Sequence, residues 1–427
     1  MIEMLVYLAI PIVLLVAGTP IYVVLLAAGM AALGLLTDYP LGAIHTAAFG
    51  SLDSFPLLAI PLFIFAGDIM GQGGIARRLV DWVLSIIGGV RGSLGIATIT
   101  SAELFGTMSG SSVGCVAAVG RLLYPTLCAN GYPPRFAASL IASAGAVAVI
   151  IPPSIAMIIY GIVAQQSIPK LFMAGIVPGI LIGLLVVVYI AVYARIERVP
   201  LMSKARWATI ATTSRAAVFA LAAPVFILGG IYGGIFTPTE AAGVACVYSM
   251  LVSRYIYREL TWKQIWAVAQ GSTRLVAQIL VIVAAAGVYA WMVTTSGFPV
   301  KLVELIQSIG LGPIGLLLIF NIVLLLMGSV LEPPATILML APLVMPLVTS
   351  VGIDPIHFGI IMTVNLAIGM FLPPFGLNLF AAQTVFNMPL SSLYRGVVPF
   401  MVLYLFALLL ITYIPGISLG LMHWVYR

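Results

Sequence analysis

Oxygen-bearing side chains cluster with glycine and proline at two places where the chain is expected to bend. Gly106-Thr107-Met108-Ser109-Gly110-Ser111-Ser112 sets three serine hydroxyls beside glycine in a strongly apolar neighbourhood. Gly328-Ser329-Val330-Leu331-Glu332-Pro333-Pro334 offers a hydroxyl, a carboxylate and two prolines in similar surroundings. Pro152-Pro153 and Pro373-Pro374 interrupt two further apolar segments. Proline removes a backbone donor and clashes with the preceding turn, so each of these reads as a broken helix. A break frees carbonyls at one half-helix end and amides at the other. Carbonyl and hydroxyl oxygens suit a small hard cation such as Na⁺, and freed amides suit a carboxylate. Ser109, Ser111 and Ser112 add hydroxyl oxygens at the first bend, and Ser329 and Glu332 add theirs at the second; Ser111, Ser329 and Glu332 are the substrate candidates.

Intramembrane acids are functional suspects, here Asp68, Glu103, Glu240 and Glu332. Glu332 is the best placed, and either serves an ion or substrate or caps the following helix. Asp68 and Glu103 are expected to be structural hydrogen-bonders. Thr294–Ser296 either faces the site or only ends a helix. A serine hydrolase needs a histidine base. The histidines are His45, His357 and His423, none within a recognisable motif, and His357 is expected in an external connection. There is no phosphate-binding glycine motif, and Cys115, Cys128 and Cys246 lack metal-like spacing. The expectation is no enzyme and no cofactor beyond a coupling ion.

Composition sets the environment of these bends. With 63% hydrophobic and 7% charged residues, and a mean hydropathy of +1.22, the chain cannot dress a water-facing surface. Soluble domains carry roughly 25% charged residues. The continuous apolar runs suit membrane-spanning helices rather than barrel strands. The fold class is therefore all-α and polytopic, and the +6 net charge is a matter of topology with no nucleic acid implied. The N-terminus lacks the basic stretch of a signal peptide, so the first apolar run is expected to be retained.

In chain order, residues 1–54 hold N-terminal spans, with 4–36 either one kinked span or two short ones. A first repeat covers 55–194, with a re-entrant hairpin at about 93–128 and a broken helix at about 136–166. Re-entrant backbone is tolerated at membrane depth only where protein or a water-filled cavity satisfies it. A basic loop and central spans occupy 195–274. A second repeat covers 275–415, with a hairpin at about 313–350 and a broken helix at about 357–386, and 416–427 is a tail. Amphipathic segments 79–90 and 298–308 precede the hairpins.

One constant shift of 221 residues lays Pro125 on Pro346, Gly131 on Gly352, Pro152-Pro153 on Pro373-Pro374 and Val177-Pro178 on Val398-Pro399. This is an internal repeat. Placing the first hairpin's base and the 195–215 and 254–274 loops together collects 14 of the 18 Lys/Arg on one side, Lys204 among them. Lys170, Lys301 and Arg427 face the other side, and Arg121 sits within a hairpin arm. The basic side is cytoplasmic. The first hairpin then enters from the cytoplasm and the second from outside, so the repeats are inverted. Paired broken segments in inverted repeats point to a secondary transporter with a midplane site.

These residues, together with Met157-Ile158-Ile159-Tyr160-Gly161, Leu171–Gly175, Gly352–Gly359 and Asn365–Gly369 before Pro373-Pro374, carry a resemblance. The chain resembles, over essentially its whole length, the large membrane subunit of tripartite ATP-independent periplasmic (TRAP) transporters. The resemblance implies the ion-transporter fold and an elevator motion. It implies Na⁺-driven import of a small organic acid across the bacterial inner membrane. The implied partners are a periplasmic substrate-binding protein and a small four-helix membrane subunit, expected here as a separate polypeptide. It places a first Na⁺ between Ser109, Ser112 and the carbonyls near Val147, Ile150 and Pro152. It places a second at Gly328 and Gly369 with Leu372 and Pro373. Relatives often carry threonine before that second Pro-Pro pair, and Leu372 leaves only a backbone carbonyl there. The nearest competing reading is a self-sufficient carboxylate symporter of the same fold.

Overall fold

The computed structural model describes residues 2–201, 206–310 and 312–426. Lys204 and Arg427, which entered the charge argument, lie outside the described residues. The described residues form helices joined by short turns. Ile2–Val16 (α1) and Ile21–Leu36 (α2) are two separate helices. Gly18 at φ +78° and Pro20 part them, as glycine and proline do at a helix end. Gly42–Leu52 is a third helix of this N-terminal region (α3).

The first repeat runs Phe55–Gln72 (α4), Ile75–Ile87 (α5), Ser93–Ser109 (α6), Ser112–Ala129 (α7), Pro134–Ile150 (α8), Ile155–Val163 (α9) and Ile168–Ile196 (α10). Trp207–Tyr232 (α11) and Pro238–Leu251 (α12) follow. The second repeat runs Trp262–Thr295 (α13), Phe298–Ile309 (α14), Pro313–Val330 (α15), Pro333–Ser350 (α16), Pro355–Gly369 (α17), Leu377–Phe386 (α18) and Leu390–Tyr413 (α19). The 221-residue shift carries the end of α6 onto the end of α15 and the whole of α7 onto α16. Both Pro-Pro bonds are cis.

Four expectations change. The basic 195–215 loop is shorter, because α11 begins at Trp207. Its polar residues serve as a docking face: Trp82 Nε1 donates to Ser214 Oγ (3.1 Å), and Ser85 and Thr213 hydroxyls meet at 2.8 Å. The boundary drawn at 274/275 falls inside the single 34-residue helix α13, whose Ser272 spends its hydroxyl on Asp68 of α4 (2.6 Å). The supposed tail is a helix, Pro415–Val425 (α20), packed on α10 and α17. It holds His357, expected outside, in a buried site where the ring bonds Ser418 Oγ (2.7 Å) and the Thr412 carbonyl (3.2 Å).

The two broken helices form the centre. Phe136–Ile150 of α8 and Ile356–Gly369 of α17 are buried throughout. Large apolar side chains lie exposed on α1, α2 and α11, as lipid-facing spans require. The amphipathic helices α5 and α14 are each pinned outside this centre by an ion pair. Arg77 and Arg78 of α5 pair with Glu259 ahead of α13 (2.9 and 2.7 Å), and Lys301 of α14 pairs with Glu3 of α1 (2.7 Å).

Cavities along α4 and α13 show that the hairpins enter from opposite ends. Arg121 and Leu122, toward the base of the first, share a cavity with Gln72, Gly74 and Glu259. Pro342, Met345 and Pro346, toward the base of the second, share one with Ser54, Leu57 and Thr294.

Candidate functional site

The first bend is built from short side chains and one left-handed glycine. Gly110 turns at φ +58°, which only glycine adopts freely, and Ser111 is extended. Ser111 Oγ accepts the Gly114 amide (3.2 Å) and so caps α7. Close approaches fix the bend in place. A methyl group on Gly110 would lie 2.8 Å from the Pro153 carbonyl, and one on Gly67 of α4 would lie 2.9 Å from the Ser109 backbone. The bend therefore rests directly on the first Pro-Pro break. There Ser154 caps α9 by accepting the Met157 amide (3.4 Å), while its hydroxyl donates to the Val149 carbonyl.

The structure thus gathers Ser109 and Ser112 with the end of α8. Both serines are buried, as is Pro152. The Val147 carbonyl already accepts the Ile151 amide (3.0 Å). The Ile150 carbonyl faces Gly175 of α10, on which a methyl group would meet it at 2.8 Å.

The second bend is made differently. Leu331 and Glu332 are the two residues outside helices, and Pro333-Pro334 opens α16. Glu332 stands at the cap position, yet its side chain caps nothing. Its backbone carbonyl accepts from the Thr336 amide (3.0 Å) and hydroxyl (3.1 Å). Gly328 and Gly369 touch backbone to backbone, since a methyl group on Gly369 would stand 2.3 Å from the Gly328 carbonyl carbon. The Leu372 carbonyl accepts the Gly376 amide (3.0 Å). Leu372 and Pro373 are half-buried, and Pro374 and Phe375 are exposed. Ser329 turns its hydroxyl back to the Leu326 carbonyl (2.8 Å) and does not line the cavity described next.

Both bends open on one cavity of ≈ 490 Å³. Gly110–Val113 line it from the first bend and Glu332–Pro334 from the second. Ile155 and Ala156 at the start of α9, and Leu377 and Phe380 at the start of α18, complete the wall. Two half-helix N-termini thus meet in one space, where their partial positive charge and unpaired amides favour a small anion. Glu332 is the one charged side chain in this wall. Ser111 and Glu332 therefore share the chamber, with Ser112 beside them.

Ser109 and Ser111 also border a cavity of ≈ 710 Å³ that runs past Arg121 to Arg77 and Glu259 on the basic side. Its equivalent across the repeat, ≈ 510 Å³ and lined by Ser51, Ser54, Gln165 and Pro342, has no charged residue in its wall. Of the other acids, Asp68 accepts from Ser272 as expected of a structural group. Glu240 forms a capping box with Thr237 at an exposed helix start. Glu103 departs from expectation: its Oε1 has no partner among the described residues and lies where only Gly183 leaves room.

Sequence reasoning passed over Asn378. It is the second residue of α18, is fully buried, and joins the two repeats: Ser112 Oγ donates to its Oδ1 (2.8 Å), and its Nδ2 donates to the Ala142 carbonyl (2.8 Å). The available signal was an amide side chain amid apolar residues, four positions after Pro374.

Comparison with known proteins places this geometry. The family model for the DctM component of tripartite ATP-independent periplasmic transporters matches residues 8–417. The chain is 41% identical over 377 residues to the C4-dicarboxylate TRAP transporter large permease protein DctM of Pseudomonas aeruginosa, covering 88% of each. It is 37% identical over 409 residues to the 2,3-diketo-L-gulonate TRAP transporter large permease protein of Escherichia coli, covering 96% of each. It is 39% identical over 408 residues to the isethionate TRAP transporter permease protein DctMQ of Oleidesulfovibrio alaskensis, covering 95% of this chain and 64% of that one. In fold it is similar to the YdaH transporter of Alcanivorax borkumensis, with a TM-score of 0.66 over 98% of each chain at 14% identity.

Proposed function

This chain belongs to the DctM family of tripartite ATP-independent periplasmic transporters, a multi-pass transport permease rather than an enzyme, and on that premise we propose that it carries out Na⁺-coupled uptake of a small organic acid. The acid is delivered by a periplasmic substrate-binding protein, and the chain works in the bacterial inner membrane beside a small four-helix subunit. The observation that carries this reading is the ≈ 490 Å³ chamber, where two half-helix N-termini suit a carboxylate beside hydroxyl and carboxylate oxygens that suit a cation. The relatives named above act on C4-dicarboxylates, a diketo sugar acid and a sulfonate. All are small anions, which supports an acid substrate here.

Ser109 and Ser112, with the carbonyls of Val147, Ile150 and Pro152, hold the first Na⁺. Gly328, Gly369, Leu372 and Pro373 supply backbone oxygens for the second. Ser111 contacts the substrate from the first bend, and Glu332 contacts the substrate or an ion from the second. The hairpins and broken helices move as one body against α1–α4 and α11–α13, with α5 and α14 as the pinned connectors. This is an elevator.

The test is uptake into proteoliposomes containing this chain and the small subunit. Radiolabelled succinate and other organic acids are offered under an inward Na⁺ gradient, with and without the binding protein. Accumulation that needs both Na⁺ and the binding protein is expected. Na⁺-driven accumulation without it would instead make the chain a self-sufficient symporter. Equal accumulation under K⁺ would overturn ion coupling.

A further inference from the structure

A buried side-chain contact joins the repeats at the first bend, and its donors and acceptors can be assigned from geometry alone. The Ala142 carbonyl can only accept, so the Asn378 group 2.8 Å from it is the amide nitrogen. Asn378 Oδ1 therefore faces Ser112, and Ser112 Oγ, at 2.8 Å, must donate its single proton to it. Every remaining electron pair on Ser112 Oγ is then an acceptor. A hydroxyl left free to rotate would point its proton at a neighbouring oxygen part of the time. This one presents only lone pairs, as a cation requires.

Asn378 is itself held. Its backbone amide donates to the Met370 carbonyl across the second break (2.8 Å), and its side chain is fully buried. Gly145 leaves the space, since a methyl group there would approach the Ser112 carbonyl at 3.1 Å and Asn378 Nδ2 at 3.4 Å. The 221-residue shift puts Met157 at the place of Asn378 and Pro333 at that of Ser112, so the contact is made once and not twice.

We propose that Asn378 is the positioning residue of the first cation site: it fixes Ser112 as a pure acceptor and ties occupancy of that site to the start of α18, a wall of the substrate chamber. This rests on the ion-coupled reading above. It adds a direction of coupling, from an ion held in the first repeat to the half-helix of the second.

The experiment measures thermal unfolding of the purified full chain in detergent against NaCl concentration, with KCl holding ionic strength constant. Wild type, Asn378→Ala, Asn378→Asp, Ser112→Ala and the Ser112→Ala/Asn378→Ala double variant are compared. Asn378→Ala is expected to raise the Na⁺ concentration for half-maximal stabilisation about fivefold, the scale of one lost hydrogen bond between neutral groups. In the Ser112→Ala background the same change should move it less than about twofold, because a residue acting through Ser112 has nothing left to orient. Asn378→Asp, which accepts from Ser112 in either protonation state, should stay near wild type.

A purely structural role gives another pattern. Asn378→Ala would then lower the Na⁺-free melting temperature equally in both backgrounds and leave the Na⁺ midpoint unmoved, which overturns the proposal. Loss of the Na⁺ response in Asn378→Asp overturns it too, and this arm decides the matter if Asn378→Ala is not recovered folded. If wild type itself responds no more to Na⁺ than to K⁺, the ion-coupled reading fails, and this inference with it.

Discussion

The two repeats share a backbone plan and differ in what stabilises it. In the first, hydroxyls finish the job: Ser111 caps α7, Ser154 caps α9, and Ser112 is tied to Asn378. Its Pro-Pro break is buried, and both hairpin arms pack along α8. In the second, Glu332 and Phe375 stand where Ser111 and Ser154 stand in the first, and neither caps a helix. Only α15 packs extensively along α17, while α16 leans on α13 and α9. Pro374 and Phe375 face outward. One half is preassembled by side chains. The other is held by backbone contacts and places the one charge in the chamber wall.

The sharpest way to break this comparison is at the glycine contact. Gly369→Val puts a side chain where even a methyl group would stand 2.3 Å from backbone. Na⁺-driven uptake should fall about a hundredfold or more, the scale of losing closely set geometry, while the protein still reaches the membrane. Ala148, the equivalent in the first repeat, already carries a methyl group against Gly106. Ala148→Gly should therefore retain most uptake. Equal loss in both would mean that the repeats are held alike.

Glu332 and Ser111 form the next pair. Glu332→Gln removes the one charge in the chamber wall. The Na⁺ concentration for half-maximal uptake should rise about tenfold, a modest share of a charge pair's energy at partly buried sites. Ser111→Ala loses a cap, about 1 kcal/mol of stability, with little change in Na⁺ dependence.

The two vestibules give a smaller effect. Arg121 faces the cavity leading to the basic side, and its equivalent across the repeat is Pro342. On the proposed import reading, an anion leaving by the basic side passes an arginine, and one arriving by the other vestibule does not. Arg121→Gln should slow succinate accumulation about threefold, and more at low than at high ionic strength, because screening weakens exposed charges. Pro342→Ala should leave the salt dependence of uptake unchanged.

How much of this was legible in the sequence follows from which forces set each feature. Bends and breaks are written in glycine and proline, whose backbone preferences are local, so the hairpins and broken helices fall within a few residues of their expected bounds. Helices misread as loops are those whose polar residues are spent on other helices, as Ser214 on Trp82 and Ser272 on Asp68. Asn378 lies 266 residues from its partner Ser112, and no local pattern announces such a pairing. Ser154 stood in a motif read only for its prolines, so its capping role went unassigned.

Ser154 also supplies the smallest and cleanest contrast between the repeats. Its hydroxyl accepts the Met157 amide and donates to the Val149 carbonyl, so it closes the first break from both sides. Phe375, its equivalent, is 54% exposed and makes neither bond. Ser154→Ala leaves a buried amide and a buried carbonyl each short of a partner. The expected loss is about 1–3 kcal/mol, read as a lower melting temperature of the purified chain. Phe375→Ala removes an exposed ring and should cost under about 0.5 kcal/mol. The ratio carries the meaning: a first break that depends on its serine and a second that ignores its phenylalanine would show that side chains lock one half of the repeat and leave the other free. Equal, small losses would instead mean that both breaks are held by packing of the half-helices alone, with Ser154 a bystander.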